Sequence, residues 1–222
     1  MMEPRSHFHA ELEALKARVV TLFQCVETSR QGAVTAYLQN DGAVARQIME
    51  ADKGINQQAC DLDETCLRLL ALEQPVALDL RRIVGYARAS INLERLADEA
   101  VGVAESALNG PGLPGDCDKS LEALAAHTAH MFGLVAQAFV ADDLNQAMEV
   151  CRLDEQAREL ATAAMRCITE ALSQCHAQPE ASVRAILAAR CFERMGGYAA
   201  NLAEVVVFIL KGATLSQQCQ PR

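Results

Sequence analysis

Leu93-Glu94-Arg95-Leu96-Ala97-Asp98-Glu99-Ala100 is answered 99 residues later by Phe192-Glu193-Arg194-Met195-Gly196-Gly197-Tyr198-Ala199. Ala104-Glu105 continues into Ala203-Glu204 at the same offset. Upstream, Tyr37-Leu38-Gln39-Asn40-Asp41 lines up with Phe139-Val140-Ala141-Asp142-Asp143 at an offset of 102, and Asp52 then lines up with Asp154. Matches in order, drifting by only three residues, predict that the chain is a duplication.

Working outward, each half divides into three helical stretches. Leu12, Leu15, Val19, Leu22, Val26, Ala33 and Tyr37 are spaced by three, four or seven residues, so residues 11–40 read as an amphipathic helix. Asn40-Asp41-Gly42 is a turn signal, and a second helix covers 43–72. Gln74 precedes a proline and avoids the helical region, whereas Pro75 suits the first turn of a third helix over 75–108. Asn109-Gly110-Pro111-Gly112-Leu113-Pro114-Gly115 is the clearest linker. The pattern restarts over 119–141, turns at Asp142-Asp143, and runs in a fifth helix to about residue 176. Pro179 opens a sixth that stops at Lys211-Gly212, a cation followed by a glycine. The expected fold is all-α, with two tandem three-helix bundles over residues 7–110 and 117–213.

Composition supports this. Hydrophobic residues make up 51% and aromatic residues only 4%, with Ala and Leu leading, which favours helix over sheet. A net charge of −9 over 222 residues removes the basic stripe that nucleic-acid phosphates need, so no direct nucleic-acid binding is expected; it suits a cation or a basic partner. No run approaches 18 consecutive apolar residues and the first residues lack the apolar core of a signal peptide, so the expected location is the cytoplasm, without membrane insertion. The nine cysteines are scattered and include no CxxC, and they read as reduced thiols filling apolar helix faces. Cys117 and Cys219, in loop-like and terminal segments, are the ones expected to be reactive.

The chemistry-bearing pattern is acidic. Glu94 and Asp98 are four apart, about 40° around a helix, and Glu105 returns to the same face two turns later. Like charges at this spacing cost roughly 0.2–0.5 kcal/mol per pair, which arginine, solvent or a cation can offset. Asp52 and Asn56 repeat the four-residue spacing on the second helix, and antiparallel packing brings them opposite Glu94 and Asp98. Two readings fit the row: a site for a hard or borderline cation such as Mg²⁺, Mn²⁺, Fe or Ca²⁺, and a solvated acidic face. His127 and His130 lack an accompanying carboxylate pattern and read as an ordinary packed or exposed pair. There is no Glu-x-x-His, no phosphate loop, no nucleophile elbow and no HExxH, so the chain is not expected to be an enzyme.

Cys66-Leu67-Arg68-Leu69-Leu70-Ala71-Leu72-Glu73-Gln74-Pro75-Val76-Ala77-Leu78-Asp79-Leu80-Arg81 resembles the segment that joins the second and third helices of PhoU proteins. The two repeated motifs resemble that family's Glu-Arg-Ile-Gly-Asp-His-Ala signature. The resemblance implies two three-helix bundles and multinuclear metal clusters, often iron or zinc, held by Asp/Glu-x-x-x-Asp pairs; the ion expected in this chain is Fe, Zn, Mn or Mg, and a homodimer is expected. The resemblance also implies a negative regulator of phosphate uptake and signalling, which couples a phosphate ABC transporter to a sensor histidine kinase. Carried over, Glu94 and Asp98 are metal ligands from the third helix, and Asp52 with Asn56 supplies the second, Asn56 standing where the family prefers Asp. The second half departs further. Asp154, Glu193 and Glu204 remain, but Gly197 and Tyr198 replace the motif's Asp-His, and Arg158 stands where a second acid is expected. That site is expected to be degenerate, with Arg158 pairing with Glu193 or Asp154. The alternative reading is a metal-free helical interaction or dimerisation module associated with another transporter.

Overall fold

The computed structural model describes residues 4–108, 115–174 and 176–212. They form six helices: α1 (Pro4–Gln39), α2 (Gly42–Glu73), α3 (Ala77–Ser106), α4 (Gly115–Ala141), α5 (Leu144–Ser173) and α6 (Pro179–Lys211). There is no strand among the described residues. Helices α1–α3 pack as one bundle and α4–α6 as a second. The bundles lie side by side, joined mainly along α3 and α6 and more sparsely where α1 meets α4.

The heptad-like stripe of α1 is buried as its spacing requires: Leu12, Leu15, Val19, Leu22 and Val26 all face the core. They meet Leu62, Cys66 and Leu69 of α2 and Ile83, Leu93 and Leu96 of α3. In the second bundle, Leu121, Leu124 and Phe132 of α4 pack with Phe192, Met195 and Leu202 of α6. The buried face of α5 is mostly alanine, Ala157, Ala161 and Ala164, which lets its backbone approach its neighbours closely. Phe23 bridges the halves, with ring centroids 5.6 Å from Phe132 and 5.2 Å from Phe139. Burying these large side chains is the main favourable term holding the bundles together.

The duplication extends to turn geometry. Asn40 and Asp142, 102 apart in sequence, both take left-handed backbone angles, φ 52° and 53°. The next residue in each case caps a helix. Asp41 accepts from the Ala43 and Val44 N–H groups at 2.9 and 3.1 Å. Asp143 accepts from Asn145 and Gln146 at 2.8 and 3.2 Å. Each cap satisfies two of the orphan donors at a helix start.

Several boundaries differ from the sequence reading. Helix α1 begins at Pro4, earlier than residue 11, because Phe8 extends the buried stripe one turn. Pro75 lies outside α3: Gln74 ends α2 in the left-handed region and Val76 caps α3 in an extended conformation. Helix α4 begins at Gly115, and Cys117 is buried in the second core, so it is a packing residue and not a loop thiol. Cys219 lies outside the described residues. Helix α5 ends at Ser173, three residues short of the expected stop, whereas Pro179 and Lys211 bound α6 and Gly212 is left-handed at φ 72°. One helix segment, Cys117–Ala141, with mean hydropathy 1.3, is long and apolar enough to cross a membrane by length and composition. Its inward residues, Leu121 to Phe139, form the core of the second bundle.

Candidate functional site

The acidic rows of α2 and α3 meet on one face of the first bundle. Asp52 and Asn56 are half-buried one helical turn apart, and the Asn56 Nδ2 donates to Asp52 Oδ2 at 2.9 Å. That bond uses one oxygen of the pair. The Oδ1 atoms of both Asp52 and Asn56 are buried and have no hydrogen-bond partner. An unsatisfied buried polar atom costs about 1–3 kcal/mol, so two together at one spot call for an electropositive partner.

The third helix brings the remaining charges. Glu94 is half-buried and Asp98 exposed, and neither is matched by a hydrogen bond or ion pair among the described residues. Burial raises the Asp52 carboxyl above its ordinary range, and the Asp98 charge raises it further against the Asn56 hydrogen bond. Glu94 is raised by burial and by Asp98 and Asp52, with Arg95 opposing. Asp52, Glu94 and Asp98 therefore share one electrostatic field, as antiparallel packing of the two rows requires. Glu105 is exposed two turns beyond Asp98.

The donor chemistry fits a hard cation: three carboxylates and an amide oxygen, two of whose oxygens are orphaned. The arrangement is open. Among the described residues no three His, Cys, Asp or Glu side chains converge closely enough to chelate one ion. The first-half residues thus form a half-assembled oxygen surface and not a closed cage.

The corresponding face of the second bundle is built differently. Arg158 donates to Asp154 Oδ2 one turn away and also lies 3.7 Å from Glu155. Of the two partners open to Arg158, the structure selects Asp154. Glu193 is instead paired with Arg190 at 2.7 Å. Gly197 contributes no side chain. Glu204 sits in the field of Asp154: its carboxyl is raised by burial and then by that charge. Arg190 is the residue sequence reasoning missed, although its place three before Glu193 marks it as a same-face neighbour. His127 Nε2 donates to the Leu153 carbonyl at 3.0 Å, tying α4 to α5, while His130 is exposed.

Between the two faces runs the α3–α6 seam. Arg194 donates to Glu99 at 2.5 Å and Asn201 to Asn92 at 3.2 Å. A side chain on Gly102 would meet Cys191 Sγ at 2.8 Å. Adding or subtracting 99 turns the Asn92–Asn201 pair into Cys191–Gly102, so a pseudo-two-fold axis crosses the seam and the 99-residue offset holds in three dimensions.

Two paired three-helix bundles, each with a carboxylate row on one face, define a duplicated all-helical protein that offers oxygen donors. The PhoU domain family matches residues 19–107 and 121–206, one copy on each bundle. The chain belongs to the PhoU family. It is 30% identical over 211 residues to the phosphate-specific transport system accessory protein PhoU of Escherichia coli strain K12, covering 92% of this chain and 86% of that protein. The Pseudomonas aeruginosa homolog is 33% identical over 213 residues, with coverages of 92% and 86%. The crystal structure of PhoU from Pseudomonas aeruginosa superposes with a TM-score of 0.87 at 31% identity, covering 93% of this chain and all of that one. The phosphate transport system regulatory protein PhoU from Streptococcus pneumoniae also gives 0.87, at 25% identity, covering 93% and 98%.

Proposed function

We propose that this chain is a cytoplasmic, non-catalytic regulator of phosphate uptake and phosphate-responsive signalling, acting as an adaptor between a phosphate ABC transporter and a sensor histidine kinase. The observation that carries this reading is the end-to-end match of both bundles to accessory proteins of phosphate-specific transport. The regulation is negative. Deleting the gene should derepress a phosphate-starvation promoter in phosphate-rich medium, and the intact chain should restore repression. An unaltered reporter in the deletion strain would refute the role.

The first bundle carries the metal in this proposal. Asp52, Asn56, Glu94 and Asp98 would hold an ion of Fe, Zn, Mn or Mg, whose charge offsets three mutually repelling carboxylates and satisfies two orphaned oxygens. Asp98→Ala should remove most of the bound metal measured by elemental analysis, and Glu193→Ala little. Equal loss from both, or no metal in the unsubstituted protein after reconstitution, would remove this part.

A second reading, a metal-free dimerisation module associated with another transporter, is favoured by one feature. An apolar trough of about 710 Å³ runs between α1 and α4, lined by Val20, Phe23, Phe132, Ala136 and Val140. A mass in sedimentation that halves on dilution and ignores chelator would support it.

A further inference from the structure

We infer that Arg158 is a resident cation in the second bundle, a guanidinium standing where the first bundle leaves room for a metal, so that only one half of this protein responds to metal. The inference rests on the metal reading of the first half, and its test is arranged so that the two fail separately.

The two halves carry the same local device with opposite outcomes. In each, the residue four positions after the α2 or α5 aspartate donates to that aspartate's Oδ2: Asn56 to Asp52, and Arg158 to Asp154. An amide brings no charge, and its own oxygen is left buried and orphaned beside Asp52 Oδ1. A guanidinium has no acceptor to orphan, and neither Asp154 oxygen is buried without a partner. Arginine keeps its proton at every physiological pH, so it cannot become a ligand or vacate its charge.

The rest of the second face agrees. At the four equivalent positions the first half holds Asp52, Asn56, Glu94 and Asp98, a formal −3, and the second holds Asp154, Arg158, Glu193 and Gly197, a formal −1; Glu105 and Glu204, equivalent to each other, add one negative charge to each half and leave the difference of two unchanged. Arg190 takes up the Glu193 charge from the same helix. Gly197 supplies no donor, although a side chain there would meet nothing within 4 Å. An aspartate therefore fits that position, and the missing ligand is a matter of chemistry and not of space.

The test uses the full chain in an Asp98→Asn background, which silences the first face. In this background the protein, stripped with chelator and re-exposed to Mn²⁺, should hold almost no metal, and Arg158→Lys should behave the same way. Adding Arg158→Asn with Gly197→Asp restores the −3 pattern. It should raise Mn²⁺ affinity at least about tenfold, because charge and oxygen count set the binding of hard cations. The same exchange should lower the unfolding midpoint under chelator and make it Mn²⁺-dependent, a readout that needs no activity; circular dichroism checks that the helices remain. Two results would overturn the inference: metal in the Asp98→Asn protein that Asp154→Asn removes, or an Arg158→Asn/Gly197→Asp protein that neither takes up Mn²⁺ nor loses stability without it. Failure of the first-half reading shows elsewhere, as a metal content identical in the unsubstituted and Asp98→Asn proteins.

Discussion

Removing the Arg194 side chain should loosen the joint between the bundles, and the expected size can be worked from the seam. Arg194 donates to Glu99 at 2.5 Å across α6 and α3. The Glu99 side chain is 10% exposed, the Arg194 side chain 53%. An exposed ion pair contributes about 0–1 kcal/mol, whereas breaking a buried one costs about 3–5 kcal/mol because a bare charge is left behind. This pair lies between: the cation reaches water, but the carboxylate it leaves is buried beside Cys191, whose thiol is itself pushed up to about 11 by burial and by the Glu99 charge. Arg194→Ala should therefore cost about 2 kcal/mol, and Glu99→Gln, which leaves a neutral hydrogen-bonding group, about 1 kcal/mol. The control is Arg190→Ala, which breaks a same-helix pair with Glu193 and should cost under about 1 kcal/mol. Urea denaturation followed by circular dichroism measures all three, and the double substitution Glu99→Gln/Arg194→Ala should cost less than the sum of its parts. If Arg194→Ala proved no worse than Arg190→Ala, the buried carboxylate would not depend on its partner and the reasoning would fail.

Three further outcomes are expected. Asp52, Glu94 and Glu204 have raised carboxyl pKa values, so folding binds protons; their contribution is present in acid and lost as pH rises through the folded values. In metal-free protein, Asp52→Asn should accordingly stabilise at about pH 7, with the gain shrinking toward about pH 4, and a gain independent of pH in urea titrations would contradict this. Asp41→Ala and Asp143→Ala each remove an N-cap with two acceptor bonds and should each cost about 1 kcal/mol by thermal unfolding. A Cβ on Gly85 would lie 2.4 Å from Ile209 Cγ1, so Gly85→Ala should destabilise by about 1–3 kcal/mol despite better helix propensity, while Gly197→Ala should gain up to about 1 kcal/mol. Equal effects of the two glycine substitutions would show that the seam yields freely.

Much of this architecture is legible along the chain because its signals are local. The Leu12–Val26 stripe, the Asn40-Asp41 and Asp142-Asp143 turns and the Pro179 and Gly212 boundaries depend only on neighbours a turn away. The meeting of Asp52 with Asp98 also follows from antiparallel packing of two rows with the same period. What stayed hidden was set by tertiary context or by rare backbone. Gln74 ends α2 in a left-handed conformation that glycine or asparagine normally signals, so Pro75 read as a helix start. Cys117 looked loop-like beside the glycine-rich linker, but the second core draws it in. That Glu204 lies in the field of Asp154 depends on how α5 crosses α6, which no spacing within one helix encodes.

The pseudo-two-fold seam also bears on how the chain came to be one piece. If the first bundle paired with a copy of itself about this axis, every residue would serve twice: Asn92 would meet Gly102 at both ends, and Glu99 would meet Arg95 at both ends. In the fused chain the two ends have parted company. One holds Asn92 against Asn201 and the other packs Gly102 against Cys191. Glu99 keeps an arginine partner in Arg194, while its mate, Tyr198, carries no charge to offer Arg95. Covalent linkage thus released each half from having to complement itself. Each half paired with its own twin would therefore meet different partners across the joint: Glu99 with Arg95 in the first half, Tyr198 with Arg194 in the second.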